Sequence, residues 1–293
     1  MNDRYAAAFG IQWKKYRRTQ LDSYSGLPIT RMRALRCIGE ENLSWISEKH
    51  VLECGCGAGR FTEILLSLGA NVVSIDISDA VEANRENFPP GPRHQIIQAD
   101  IEMLPFSPAT FDVVFCLGVI QHTPNPERTI TRLYEEVAPG GLLVIDHYTY
   151  GLSDYTKTAG LLRVVLKRLP VETGMLATDK LVDWFLPLHK AARNSPLIQM
   201  MLSRISPVLA YYRTLPELPD DLQREWALLD THDSLTDWYK HRRTRRQIQR
   251  TLERLGATDI HCTYGGNGVE ARCRKPVAVS SNTASLHLAA RAS

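Results

Sequence analysis

"VLECGCGAGR", residues 51–60, sets three glycines and two cysteines behind a short apolar run that ends in a carboxylate. Three uses for so little side chain stand open: a zinc site on Cys54 and Cys56, a loop that cradles phosphate, or a loop that lets another ligand touch the backbone. The flanking chain narrows them. "HVLECG" (50–55) reads as a buried strand, and "RFTEILLSLG" (60–69) carries Phe61, Ile64, Leu65 and Leu68 at helical spacing, with Gly69 as its stop. The glycines therefore occupy a strand-to-helix turn.

The alternation continues. "ANVVSIDIS" (70–78), "HQIIQAD" (94–100), "FDVVFCLG" (111–118) and "LLVIDHY" (142–148) read as strands. "DAVEANRENF" (79–88) and "NPERTITRLYEEVAPGG" (125–141) read as helices, the second closed by a Pro-Gly-Gly turn. This rhythm predicts an α/β fold with a doubly wound, mostly parallel sheet and helices on both faces. Its ligands belong at the carboxyl ends of the strands, near the topological switch point.

The six cysteines, at 37, 54, 56, 116, 262 and 273, show neither paired C-x-x-C spacing nor a nearby histidine cluster, so no metal site is expected and the zinc use falls away. Reduced core thiols are the expectation. Asp76 ends the second strand about 20 residues after the glycine loop, the arrangement by which a carboxylate meets the ribose of an adenosine ligand. A dinucleotide loop needs G-x-G-x-x-G; here Gly55, Gly57 and Gly59 give G-x-G-x-G, and Arg60 stands where the last glycine belongs. No G-K-[ST] follows, so the phosphate-loop signature fails as well.

At these residues the sequence resembles the class I, Rossmann-like S-adenosylmethionine-dependent methyltransferases. "ECGCGAG" (53–59) matches that family's [DE]-x-G-x-G-x-G motif, and the resemblance extends through "VVSIDIS", "IIQADIEMLPF", "FDVVFCLGVIQHTPNPERTI" and "EEVAPGGLLVIDHY", covering residues 50–148. It implies S-adenosylmethionine as cofactor and a seven-stranded sheet. Position by position, it implies that Gly55, Cys56, Gly57 and Gly59 bring backbone against the cofactor's methionine and ribose, with Glu53 shaping that end. It implies that Asp76 accepts the ribose hydroxyls, that Ile77 lines the adenine, that Asp100 binds the adenine amino group and that Ile101 adds a backbone contact. Leu117 and Gly118 would face the methionine part, and His122 in "VIQHT" would stand beside the reaction centre.

Outside that block, residues 1–45 are expected to form an N-terminal helical lid, with "FGIQWKKYRRTQLDSYSG" (9–26) on a helix and Arg17 or Gln20 near the cofactor's carboxylate. Residues 46–149 and 241–276 are expected to form the core, closed by the helix "RTRRQIQRTLERLGA" (243–257) and an antiparallel hairpin, "DIHCTYG" and "GVEARCRK". Residues 150–240 then make a helical cap insertion whose apolar patterns are broken by prolines. Within "LLDTHDSLTDWYKHRRT" (228–244), Asp233, Tyr239, Lys240, His241 and Arg243 are the candidate acceptor-binding residues. The Ser- and Ala-rich tail, 277–293, is expected to lack order.

A formal charge of +3 demands no nucleic acid. No catalytic [DNS]-P-P-[YFW] element follows the fourth strand, where "CLGVIQHTPNP" stands, and this disfavours nucleic-acid methylation. The N-terminus has charges where a signal peptide would need its apolar core, and no apolar run approaches a membrane span, so a cytoplasmic protein is expected. The chemistry expected is O-methylation of a small-molecule or glycan/lipid-linked acceptor, with His122, His147 and His232 as candidate bases for a hydroxyl proton. N- or C-methylation of a secondary metabolite, and a non-catalytic regulatory protein that binds the cofactor, stay open. So do peripheral membrane contact and a homodimer, because the cap's apolar faces need a partner.

Overall fold

Five strands form where the apolar runs stand: β1 (His50–Cys54), β2 (Asn71–Asp76), β3 (His94–Gln98), β4 (Phe111–Cys116) and β5 (Val137–His147). The structure, a computed structural model, describes residues 3–39, 43–151 and 158–277. With β6 (Thr258–Gly265) and β7 (Gly268–Arg274) the strands make one seven-stranded sheet in the order β3-β2-β1-β4-β5-β7-β6. β1 to β5 pair in parallel; β7 runs antiparallel to both β5 and β6. The switch point lies between β1 and β4, where the chain turns from building outward on one side to building on the other.

Period-two burial explains why both faces are covered. On β4, Val114 and Cys116 pack with Ile130 and Leu133 of α6 (Pro126–Glu136) and Leu252 of α11 (Arg245–Arg254). Val113 and Phe115 point the other way, onto Ile38 of α3 (Ile29–Ile38) and Phe61 and Leu65 of α4 (Arg60–Ser67). α5 (Ala80–Asn87) completes the crossover between β2 and β3. A strand buried on both faces reads as a continuous apolar run, and "FDVVFC" does so.

The remaining helices are α1 (Asp3–Lys15) and α2 (Asp22–Ser25) before the sheet, and α7 (Ala159–Leu166), α8 (Val171–Ala191), α9 (Pro196–Ile205) and α10 (Asp220–Thr236) in the insertion. They form a second layer over the carboxyl ends of the strands. Trp13 and Tyr16 pack with Val182 and Leu186 of α8 and with Ala227, Leu228 and Leu229 of α10 in one apolar cluster. The leading helix and the insertion are thus a single roof.

Several local expectations differ. Residues 9–26 are not one helix: α1 stops at Lys15, a turn follows, and α2 ends at Gly26 in the left-handed region. The Pro-Gly-Gly turn lies inside β5, where Gly140 donates to the Lys275 carbonyl and a side chain at Gly141 would meet the Asp112 carbonyl oxygen at 2.8 Å. The glycines make room for a kinked strand. Pro187 sits within α8, between buried Leu186 and His189, and does not break it. The tail expected without order lies, past Val277, outside the described residues.

Candidate functional site

A cavity of about 1100 Å³ lies between the sheet's carboxyl edge and the roof. It is large enough for two small ligands together. One wall is built from the ends of four strands: Gly55, Cys56 and Gly57 after β1, Asp76 and Ile77 after β2, Asp100 and Ile101 after β3, and Leu117 and Gly118 after β4. Doubly wound topology converges these residues from positions far apart in sequence.

The glycine loop is shaped by close approach. Gly55 has φ +73, and a Cβ there would stand 2.2 Å from Val119 Cγ2; one at Gly57 would meet the Trp13 indole at 3.1 Å. Gly57 N–H donates to Asp76 Oδ2 at 3.0 Å, while Ser78 N–H and Oγ–H donate to Asp76 Oδ1 at 2.9 and 2.7 Å. Three of the carboxylate's roughly four lone-pair directions are thus taken, and the rotatable Ser78 hydroxyl is the donor that can yield to a ligand hydroxyl. Burial pushes the Asp76 carboxyl above the usual carboxylate range, against those three donors. Asp100 Oδ1 accepts from Glu102 N–H at 2.9 Å.

Two expected cofactor residues stand behind the wall. Glu53 is buried beneath the loop, its Oε2 accepting from Thr62 Oγ1 at 2.6 Å and Ser74 Oγ at 2.7 Å, and burial lifts its carboxyl to about 7. Gly59, with φ +98, caps α4 and lies against Phe88. Arg60 turns inward and lines the cavity, donating to Gln20 Oε1 at 2.9 Å and Thr30 Oγ1 at 3.0 Å; burial and the nearby Arg33 push its guanidinium down to about 10. Gln20 lines the same cavity. Arg17 does not; it pairs with Glu86 on the surface.

Of the three histidines, one faces the cavity. His122 lines it beside Gly118 and Tyr148, with Nδ1 3.0 Å from Asp237 Oδ2 and 3.2 Å from the Tyr239 carbonyl oxygen. Burial alone would depress the imidazolium, but the charges of Asp237 and Asp233 outweigh it and hold His122 to about 9. His147 turns away on β5, its Nδ1 on the Tyr148 carbonyl, and burial takes it down to about 4. His232 lies inside the roof with Nδ1 2.9 Å from Gln12 Oε1, and burial takes it too down to about 4. Neither lines the cavity.

Among the acceptor candidates, Asp233 and Lys240 line the cavity. Tyr239 contributes its carbonyl to His122, and His241 N–H donates to the Gln121 carbonyl at 2.9 Å. Arg243 forms a fork on Glu127, at 2.6 and 2.9 Å, that ties the returning chain to α6. The return is an extended segment between the end of α10 and the capping box of Thr244, so alternate residues point in opposite directions. Asp237 escaped the sequence reading, although its spacing of four from Asp233 places both on one face of a helix end. His122, Asp233 and Asp237 each place one oxygen or nitrogen within 4.8 Å of the others. The spacing suits a small cation, but His122 and Lys240 already face these carboxylates and draw Asp237 below the usual carboxylate range against its burial.

Residues 52–145 match the family described as a methyltransferase domain. The chain is 29% identical over 169 residues to a ubiquinone biosynthesis O-methyltransferase of Coxiella burnetii, covering 54% of this chain and 72% of that one. It is 34% identical over 132 residues to the mitochondrial ubiquinone biosynthesis O-methyltransferase of Schizosaccharomyces pombe, covering 43% and 48%. Among solved structures, a chain in the complex of the Haloferax volcanii Trm112 methyltransferase activator aligns over 92% of this chain and 97% of its own, at 11% identity and a TM-score of 0.50, which speaks for the fold alone. Sheet order, glycine loop and family match define the class of that part of the chain: residues 52–145 carry a methyltransferase domain, set in a class I, Rossmann-like sheet. Its methyl donor is S-adenosylmethionine.

Proposed function

We propose that this enzyme methylates a hydroxyl oxygen of a small-molecule acceptor. The observation that carries the reading is His122, which lines the cavity in the turn after β4 with its Nδ1 3.0 Å from the buried Asp237 Oδ2, so that Nε2 is the ring nitrogen left to titrate. The O-methyltransferase names of the relatives point the same way.

The cavity's residues suit the cofactor. S-adenosylmethionine supplies an activated methyl on a sulfonium, so the protein's work is binding, alignment and exclusion of water. Gly55, Cys56 and Gly57 would admit the cofactor's backbone-hugging end, Asp76 would hold the ribose hydroxyls, Asp100 would accept from the adenine amino group, and Ile77, Ile101 and Leu117 would line the apolar surfaces. Glu53 and Gly59 would serve by setting the loop's shape from behind. With that methyl donor bound, the acceptor oxygen would take the methyl and S-adenosylhomocysteine would leave, while His122 in its neutral form would accept the hydroxyl proton and Asp237 would stabilise the imidazolium. Residues 1–45 act as lid, 150–240 as cap, and 46–149 with 241–276 as core.

The cap's outer surface supports a lipid-linked acceptor taken from a bilayer. Ala159, Gly160 and Arg163 of α7 and Met200 and Ser203 of α9 line the cavity, while Leu161, Val165, Leu197, Met201 and Ile205 of the same two helices are exposed beside it. Lys167, Arg168 and Arg204 lie on these segments and suit anionic headgroups. No helix among the described residues is long and apolar enough to cross a membrane.

The test is turnover on a panel of hydroxyl, amine and activated-carbon acceptors, read as S-adenosylhomocysteine released and as the position of the new methyl by NMR. Transfer only to nitrogen or carbon, or tight cofactor binding with no turnover, overturns the O-methylation reading. Sedimentation with phosphatidylglycerol vesicles tests the surface. A protein that ignores them and instead dimerises with concentration assigns those faces to a second copy.

A further inference from the structure

The cap end of the cavity holds two internal cations whose hydrogen bonds, among the described residues, go to neutral groups. Arg163 comes from α7 and Lys240 from the extended segment after α10, and both line the cavity. Arg163 Nη1 donates to the Ser234 carbonyl oxygen at 3.1 Å; Lys240 Nζ approaches the same oxygen at 3.3 Å and Ser234 Oγ at 2.9 Å. Two positive heads thus converge on one neutral group. Arg33, by contrast, pairs with the buried Asp146, while Arg60, which also lines the cavity, is held by the neutral Gln20 and Thr30.

We propose that the acceptor carries an anionic group, a carboxylate or a phosphate ester, which Arg163 and Lys240 hold at the cap end while its hydroxyl faces His122. The proposal deepens the methyl-transfer reading and rests on it for the acceptor's orientation. Two charges brought together away from bulk water are unfavourable until an anion joins them. Burial depresses both groups, outweighing the attraction of Asp233 and Asp237. Asp237 is engaged with His122 at 3.0 Å, and burial and Asp237 push the Asp233 carboxyl well above the usual carboxylate range. With Nη1 on Ser234, Arg163 keeps its other guanidinium donors for a planar fork of the kind that grips carboxylate and phosphate. The same positive charge weighs against a metal ion at His122, Asp233 and Asp237.

The experiment uses the full-length protein saturated with S-adenosylhomocysteine, titrated calorimetrically with benzoate, phenyl phosphate and the neutral isostere benzamide. At least one anion is expected to bind about tenfold or more tighter than benzamide, and the tighter of the two names the group. Arg163→Met and Lys240→Met should each remove most of that preference while S-adenosylhomocysteine affinity stays within about twofold. The proposal is overturned if benzamide binds as well as both anions, if neither anion saturates, or if both folded variants keep the preference. Should the variants not fold, the wild-type preference measured at rising NaCl decides: it must weaken as salt screens the pair. Because the readout is binding, absence of turnover would defeat the methyl-transfer reading and leave this result standing.

Discussion

His122 Nδ1 and Asp237 Oδ2 lie 3.0 Å apart with both side chains almost wholly buried, one from the turn after β4 and the other from the end of the cap's last helix. The core thus supplies the titrating ring and the cap supplies the charge that sets its proton affinity. If the neutral ring accepts the acceptor's proton, kcat/KM should rise with pH along a limb near 9. Asp237→Asn removes the charge that retains the proton, so the limb should move to lower pH. His122→Ala should abolish the limb and lower transfer by about 10² to 10⁴. A pH–rate profile that is the same in wild type and Asp237→Asn would refute the pairing's role.

His122 also contributes to stability, and the sign follows from its raised value. A folded pKa of about 9 against 6.5 means that the stabilisation is complete below about 6.5 and disappears as pH rises through 9. His147 and His232 act oppositely: both fall to about 4, so the stability each lends is present above about 6.5 and is lost as pH drops towards 4. Melting temperatures across that acid range should fall less steeply in His232→Gln than in wild type. Parallel curves would mean that His232 does not carry a linked proton.

Gly55→Ala should cost cofactor affinity more than its single methyl suggests. The new Cβ meets Val119 at 2.2 Å and the backbone keeps φ +73, a conformation costing a side chain about 1–2 kcal/mol. Adding Val119→Ala removes the clash and leaves the strain, so S-adenosylhomocysteine binding should recover in part. Full affinity in the single variant would show that the loop is free to move.

Asp76→Ala removes the proposed ribose acceptor and leaves Gly57 N–H without its partner. Charge-assisted bonds of this kind are worth about 1.5 to 3 kcal/mol, so calorimetry should show S-adenosylmethionine binding weakened at least about tenfold. An unchanged constant in a folded variant would remove Asp76 from the site.

The strand-end wall of the cavity was legible in the sequence because parallel strands are short and apolar and converge at their carboxyl ends. Asp76, Asp100 and Gly118 could be placed by counting to the end of each run. The acceptor side was not. Arg243 and His241 share the polar stretch of Lys240, yet an extended segment sends neighbours to different surfaces, and composition carries no record of which. Arg163 meets the cavity, and Asp237 meets His122, only through the packing of α7 and α10. His147 was a fair candidate by position at a strand's end, but β5 pairs on both sides and its last side chain turns into the core.

The Gln12 side chain holds α10 twice, donating through Nε2 to the Leu229 carbonyl at 2.9 Å and accepting at Oε1 from His232. The partners are 217 and 220 residues apart in the chain. On the ribosome, α1 therefore emerges long before the helix that receives it, and the parallel strands between them are already made when its seat appears. Contacts so distant in sequence form late. A nascent chain interrupted before α10 would hold the five parallel strands but neither the helix that closes the chamber nor β6 and β7, which complete its floor.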